Sequence, residues 1–226
     1  MVFRAAPEAP RDQSGASAPG AARPKKSDVG LLAIFVLLMP LVAGCATSSG
    51  SPVAGIAETD IAAAYIPLHR GGALSHAEGA AMVVASGIAV TNSHNRNLVA
   101  SETVIGEARD YDLLFFRANQ GAAKGTGEPT VGEAVTAYGQ GKDGELRLAH
   151  GVVTSIQNCT GCTAPAYFVF AGDAGPGFSG GPVLSGSGRL IGITFGYKNG
   201  DTQRLIYAYP MSRVQSELSA LVRKAK

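Results

Sequence analysis

Apolar and polar residues alternate in short runs over most of the chain, and Gly, Asn and Asp separate one run from the next. The segments 80–86 (AAMVVAS), 88–93 (IAVTNS), 112–118 (DLLFFRA), 134–140 (AVTAYGQ), 146–156 (LRLAHGVVTSI), 166–172 (AYFVFAG), 181–186 (GPVLSG), 190–197 (LIGITFGY) and 205–210 (LIYAYP) each read as a β-strand. Only the tail, 211–225, has helical spacing, with Val214, Leu218, Leu221 and Val222 on one face. Evenly spaced strands and one terminal helix predict an all-β sandwich or barrel rather than βαβ units.

The first 56 residues break this pattern. Residues 1–28 are rich in Ala, Pro and Ser, carry Arg4, Arg11, Arg23, Lys25 and Lys26, and show no apolar periodicity, so they cannot bury enough surface to fold. Val29–Gly44 is apolar but shorter than the ~20 residues of a membrane-spanning helix, and Pro40 interrupts it. Its length suits a signal-peptide core. The run ends in LVAGC, which resembles the lipobox of bacterial lipoproteins. That resemblance implies removal of residues 1–44, a lipid on Cys45 and a place in the bacterial cell envelope. Ala46 rather than Asp after the cysteine points to the outer membrane, on its periplasmic face. Residues 45–56 then read as a flexible tether and 57–226 as one domain.

The 46% hydrophobic content and 30 glycines fit a packed core with many turns, and a formal net charge of +2 gives no sign of nucleic-acid binding. With Cys45 acylated, Cys159 and Cys162 remain, in NCTGCT. They read as a structural disulfide of an oxidising compartment, as two free thiols, or as a redox or metal pair. The last needs a thioredoxin-like βαβ context, absent from the pattern, or two further zinc ligands. No metal or organic cofactor is implied.

Candidate chemistry gathers around GPGFSGGPV, residues 175–183. Gly177–Gly181 fits G-x-S-x-G, but a nucleophile elbow needs a following helix and a downstream histidine. Strand patterns follow instead, and no histidine lies after His150. The opposite chain order is available: His94 follows a β-branched strand in VTNSH, Asp112 opens DLLFF, and Ser179 comes last. A serine hydroxyl becomes a nucleophile when an imidazole takes its proton and a carboxylate holds that imidazole in the right tautomer. Asp110 is the competing acid; it precedes Tyr111 rather than an apolar run, which favours Asp112.

With VTNSH, YDLLFF and GPGFSGGPV the chain resembles the trypsin/chymotrypsin superfamily, in particular exported bacterial serine proteases, over about residues 57–215. The resemblance implies a two-barrel chymotrypsin-like fold with a short C-terminal helix. It implies Ser179 as nucleophile, His94 as base and then acid, and Asp112 as the group that orients His94. The amides of Gly177 and Ser179 would form the oxyanion hole, and a protein or peptide substrate would be cut through an acyl-enzyme. Two rival functions share these residues: an inactive, protease-like binding lipoprotein, and an esterase on the same triad.

Several residues depart from the family pattern. Only 18 positions separate His94 from Asp112, which predicts a trimmed hairpin and a minimal, loose first barrel. Asn95 stands where many relatives carry an apolar residue. Phe178 replaces the aspartate that pairs with a freed N-terminus in digestive-type members, which excludes that activation route. With no peptide-binding domain after Lys226, regulation is expected from loops or partners. Asp173, six residues before Ser179, has two readings. It is either the base of a pocket favouring Arg or Lys, or a turn cap. On the second reading Thr194, Phe195 and Gly196 line a mostly apolar pocket for small or aliphatic side chains.

Overall fold

A computed structural model describes residues 49–72 and 75–224. The lead and signal over 1–44 and the candidate lipidation site Cys45 lie outside the described residues. Among the described residues no helix is long and apolar enough to cross a membrane.

Runs rich in β-branched and aromatic residues build most of the strands, because such side chains pack well on a pleated surface. In chain order the elements are β1 (Ser51–Pro52), α1 (Thr59–Ala64), β2 (Tyr65–Gly72), β3 (Ser75–Ala85), β4 (Ile88–Thr91), β5 (Val104–Glu107), β6 (Leu114–Arg117), β7 (Ala134–Gln140), β8 (Leu146–Gln157), β9 (Tyr167–Gly172), β10 (Pro182–Ser185), β11 (Leu190–Asn199), β12 (Arg204–Pro210) and α2 (Met211–Lys224). The second half closes into a six-stranded antiparallel barrel in the order β8-β7-β10-β11-β12-β9, with β9 returning to pair with β8. The first half is a five-stranded antiparallel sheet, β2-β3-β4-β6-β5. Together with the terminal helix this is a chymotrypsin-like fold.

Two apolar clusters hold it. Val135, Ala137, Phe168, Phe170, Phe178, Val183 and Ile191 fill the barrel. Met82, Val90, Leu113, Leu114 and Phe115 of the first half meet Leu184, Ile193, Tyr209, Met211 and Val214 of the second. The short link from His94 to Asp112 holds a 3-10 helix over Ser93–Leu98, another over Ser101–Thr103, and β5. It leaves the first half well packed, with Leu113, Leu114 and Phe115 fully buried.

The tether expected over 45–56 is not free along its described part. Ser51 and Pro52 pair with Leu148 and Arg147 of β8, and Ser49 is buried. The segment SSGSPV has few apolar groups, and the sequence does not reveal that Arg147 donates to its carbonyls at Ser49 and Gly50 or that Arg204 donates to the Ser49 hydroxyl.

Candidate active site

His94 lies in the 3-10 helix just after β4, and Asp112 two residues before β6. These strands are antiparallel neighbours, with Thr91 opposite Leu114, so adjacent strand ends bring the two side chains together. His94 Nδ1 is 2.6 Å from Asp112 Oδ2, and the His94 amide donates to Oδ1 at 3.1 Å. Burial alone would raise the Asp112 carboxyl; the bonds and charge of His94, with a further amide bond from Ser93, outweigh it and hold the group below its ordinary value. An ionised Asp112 accepts from Nδ1–H, which leaves Nε2 with its lone pair free to act as a base.

The backbone of Asp112 is held as well. Its carbonyl accepts from Asn92 Nδ2 at 2.9 Å, and its amide donates to the Tyr209 hydroxyl at 3.1 Å. Burial pushes the Tyr209 phenol up to about 12, and the nearby Asp112 charge adds to this. Asp110 is exposed, and the carboxylate on His94 is that of Asp112.

Ser179 is half-buried in the loop between β9 and β10. Two glycines make the shape of that loop possible. Gly177 has φ +85° and a Cβ there would stand 1.8 Å from the Gln140 carbonyl oxygen; Gly180 has φ +81° and its Cβ would stand 2.0 Å from the Ala80 carbonyl oxygen. Only glycine fits a left-handed backbone at such approaches. The Ser179 carbonyl accepts from the Ala80 amide at 2.8 Å and from Asn95 Nδ2 at 3.1 Å. The Ser179 loop is thereby fastened to β3 and to the residue that follows His94.

Within the loop the amides of Phe178, Gly180 and Gly181 donate to the carbonyls of Gly175, Thr194 and Phe178. Those of Gly177 and Ser179 have no acceptor among the described residues. The Ser179 hydroxyl makes no bond to His94 among the described residues; in unliganded sites such bonds are often long and tighten when substrate arrives.

Beside Ser179 lies a cavity of about 10 Å³, with Thr194, Gly196, Tyr197 and Ile206 in its walls. It has room for about one water. Asp173 is not part of it: that residue is exposed and lines a separate groove with His150 and Arg204. The basic-pocket reading is therefore corrected, because the loop turns between Asp173 and Ser179 and carries the carboxylate away. Phe195 is corrected too. Its ring stacks on Tyr209 with centroids 4.1 Å apart instead of lining the cavity. Thr194 does line it, and its hydroxyl donates to the Phe178 and Gly181 carbonyls, which braces the loop.

Cys159 and Cys162 form a disulfide with Cα atoms 5.5 Å apart. The Arg213 guanidinium donates to Cys159 Sγ at 3.3 Å and lies over the Tyr111 ring, next to Asp112. Sequence reasoning missed the roles of Asn95, Tyr209 and Arg213. Asn95 alone left a signal, as a polar residue at a position where an apolar one was expected.

A closed six-stranded barrel beside a second sheet, with a His–Asp pair on a turn that Asn95 ties to a glycine-bounded serine loop, defines the chymotrypsin-like class. The family model described as trypsin-like peptidase domain matches residues 79–193, and the chain belongs to that family. No curated protein matches the chain. Among solved structures it is similar to the HtrA-type protease AlgW with tripeptide, at 18% identity and a TM-score of 0.59, over 74% of this chain and 63% of that one. The chain thus spans less than two thirds of the length of AlgW. It is also similar to Rv3671c from M. tuberculosis, in the inactive form of a serine-to-alanine mutant, at 15% identity and a TM-score of 0.55, over 77% of this chain and 96% of that one.

Proposed function

We propose that the chain is a serine endopeptidase that cuts peptide bonds of exported or envelope proteins. The observation that carries this reading is the His94–Asp112 bond on a turn tied to the serine loop, whose Gly177 and Ser179 amides have no acceptor among the described residues. Ser179 Oγ attacks the scissile carbonyl while His94 Nε2 takes its proton. Asp112 holds the imidazole and stabilises the imidazolium that forms. The oxyanion is received by the two amides, each worth roughly 3–4 kcal/mol of barrier. His94 then protonates the leaving amine, and water, activated by His94, releases the acyl group from Ser179.

The cavity beside Ser179 supports a preference for small residues before the cut, since Ile206 takes the space of a larger side chain. AlgW structures that hold a tripeptide and a decapeptide support a peptide as the ligand class. The LVAGC junction supports attachment to the envelope through a lipid on Cys45.

A fluorophosphonate label tests the enzyme reading. Stoichiometric labelling that Ser179→Ala removes is expected, and a native protein that takes no label at Ser179 is an inactive binding lipoprotein. Casein beside p-nitrophenyl esters separates the remaining pair: hydrolysis of esters alone makes the protein an esterase.

A further inference from the structure

Ser49 and Gly50 are far from Ser179 in sequence, yet they are packed on the loop that carries it. The Gly50 amide donates to the Asp173 carbonyl at 3.0 Å. Arg204 Nη1 donates to Ser49 Oγ at 2.8 Å and lies 3.4 Å from the carbonyl oxygens of both Asp173 and Ala174. Arg147 Nε and Nη2 donate to the carbonyls of Ser49 and Gly50, each at 2.5 Å, and Glu145 holds the same guanidinium at 2.9 Å. The packing leaves no slack. A Cβ on Gly175 would stand 2.3 Å from Ser49 Oγ, and a Cβ on Gly50 would stand 2.8 Å from Phe178 Cζ.

Phe178 is the residue between the two candidate oxyanion donors, and it is 1% exposed. The peptide after it carries the Ser179 N–H, so packing that seats the ring restrains the backbone that aims this amide, and the Gly177 N–H lies one peptide before Phe178 in the same loop. Gly50 covers one edge of that ring, and Gly139 approaches it from β7. Without the segment, Arg147 loses two carbonyl acceptors at a site where it is only 8% exposed, and the Asp173 carbonyl loses a donor. Leaving a buried charged group short of partners is costly, and a rearrangement that rehydrates it would draw the loop with it.

We infer that Ser49–Gly50, docked through Arg147 and Arg204, is a built-in positioning element that holds the Gly177 and Ser179 amides in their oxyanion-binding directions. This rests on the endopeptidase reading and assigns no chemistry to the segment itself. Arg147 and Arg204 are positioning residues, and their effect belongs on kcat.

The test uses the full-length protein with a recognition site for a specific protease inserted between the exposed Ala54 and Gly55. The intact form is its own control. After cutting and removal of the N-terminal fragment, the protein should still label to full stoichiometry with fluorophosphonate, but more slowly. Its kcat per labelled serine should fall at least about tenfold with little change in KM, the pattern of a lost transition-state donor. A synthetic peptide of residues 46–53 should restore kcat. In the uncut chain Gly50→Val should give the same loss, and Arg204→Lys should retain more kcat than Arg204→Met. Unchanged kcat per labelled serine after the fragment is gone overturns the inference. So does a fall in labelled fraction alone, which marks a merely structural segment. An intact form that neither labels nor hydrolyses fails differently: it overturns the endopeptidase reading, and the inference with it.

Discussion

Asp112 accepts two hydrogen bonds from a single neighbour, His94, and this sets how the site responds to acid. Its carboxyl is held below 3.8, so the folded state binds the proton less readily than the unfolded chain does. The stability gained is complete above the unfolded value and is lost as pH falls through the lowered one. Side chains that are 49% and 31% exposed keep the effect modest. Denaturant unfolding of the native protein and of Asp112→Asn, compared from neutral pH down to pH ~2, is expected to show a gap that closes in acid. The same substitution should lower kcat by roughly 10⁴-fold, as loss of the orienting acid does elsewhere, while Asp110→Asn leaves it unchanged. Ile206 supplies a second prediction. Ile206→Ala should cost about 2–5 kcal/mol of stability and shift cleavage of a peptide library toward larger side chains before the cut. An unchanged preference would show that Ile206 does not set the size of the pocket.

Elements were legible in proportion to their apolar content. The nine segments read as strands all contain strand, and the helix over 211–225 is α2. The pattern passed over β1, α1, β2 and β5. β1 is two residues long, β2 carries Pro67 and a polar end, and β5 holds Gly106 within its four residues, so none shows sustained alternation. β2 and β5 pair with the strands that follow them, β3 and β6, while β1 pairs with β8, a partner distant in sequence. The 3-10 helix behind His94 shows how such partners matter. Asn95 is buried there and gives its amide to Thr91 Oγ1 at 3.0 Å and to the Ser179 carbonyl at 3.1 Å, which ties the histidine-bearing turn to the serine loop. Asn95→Ala is expected to cost about 1–3 kcal/mol by unfolding, and to lower kcat while the fluorophosphonate stoichiometry stays full. Motif spacing identified the three triad candidates because each has a local sequence context. It misled at Asp173, whose place depends on how a glycine-rich loop turns.

At the scale of the whole molecule, the packed body takes in Ser49–Pro52, residues that composition assigned to a tether ahead of residue 57. The lipid expected on Cys45 gives a direct measurement: Cys45→Ser should move the protein from the membrane fraction to the soluble fraction, or leave an unprocessed precursor, because each buried CH₂ of an acyl chain contributes ~0.8 kcal/mol to anchoring. Normal processing with unchanged fractionation would remove the lipid anchor from the proposal.

The docked Ser49 also limits how far the enzyme could stray from a bilayer. Four peptide steps separate it from Cys45, a reach of at most about 14 Å. A domain of this size has a radius of gyration of about 16 Å, so the leash is shorter than the body it holds. With the lipid in place, the protease would rest against the headgroups and work at one altitude. Proteins would then be selected by how near the lipid surface their cleavable segment passes, before any pocket examines its side chains.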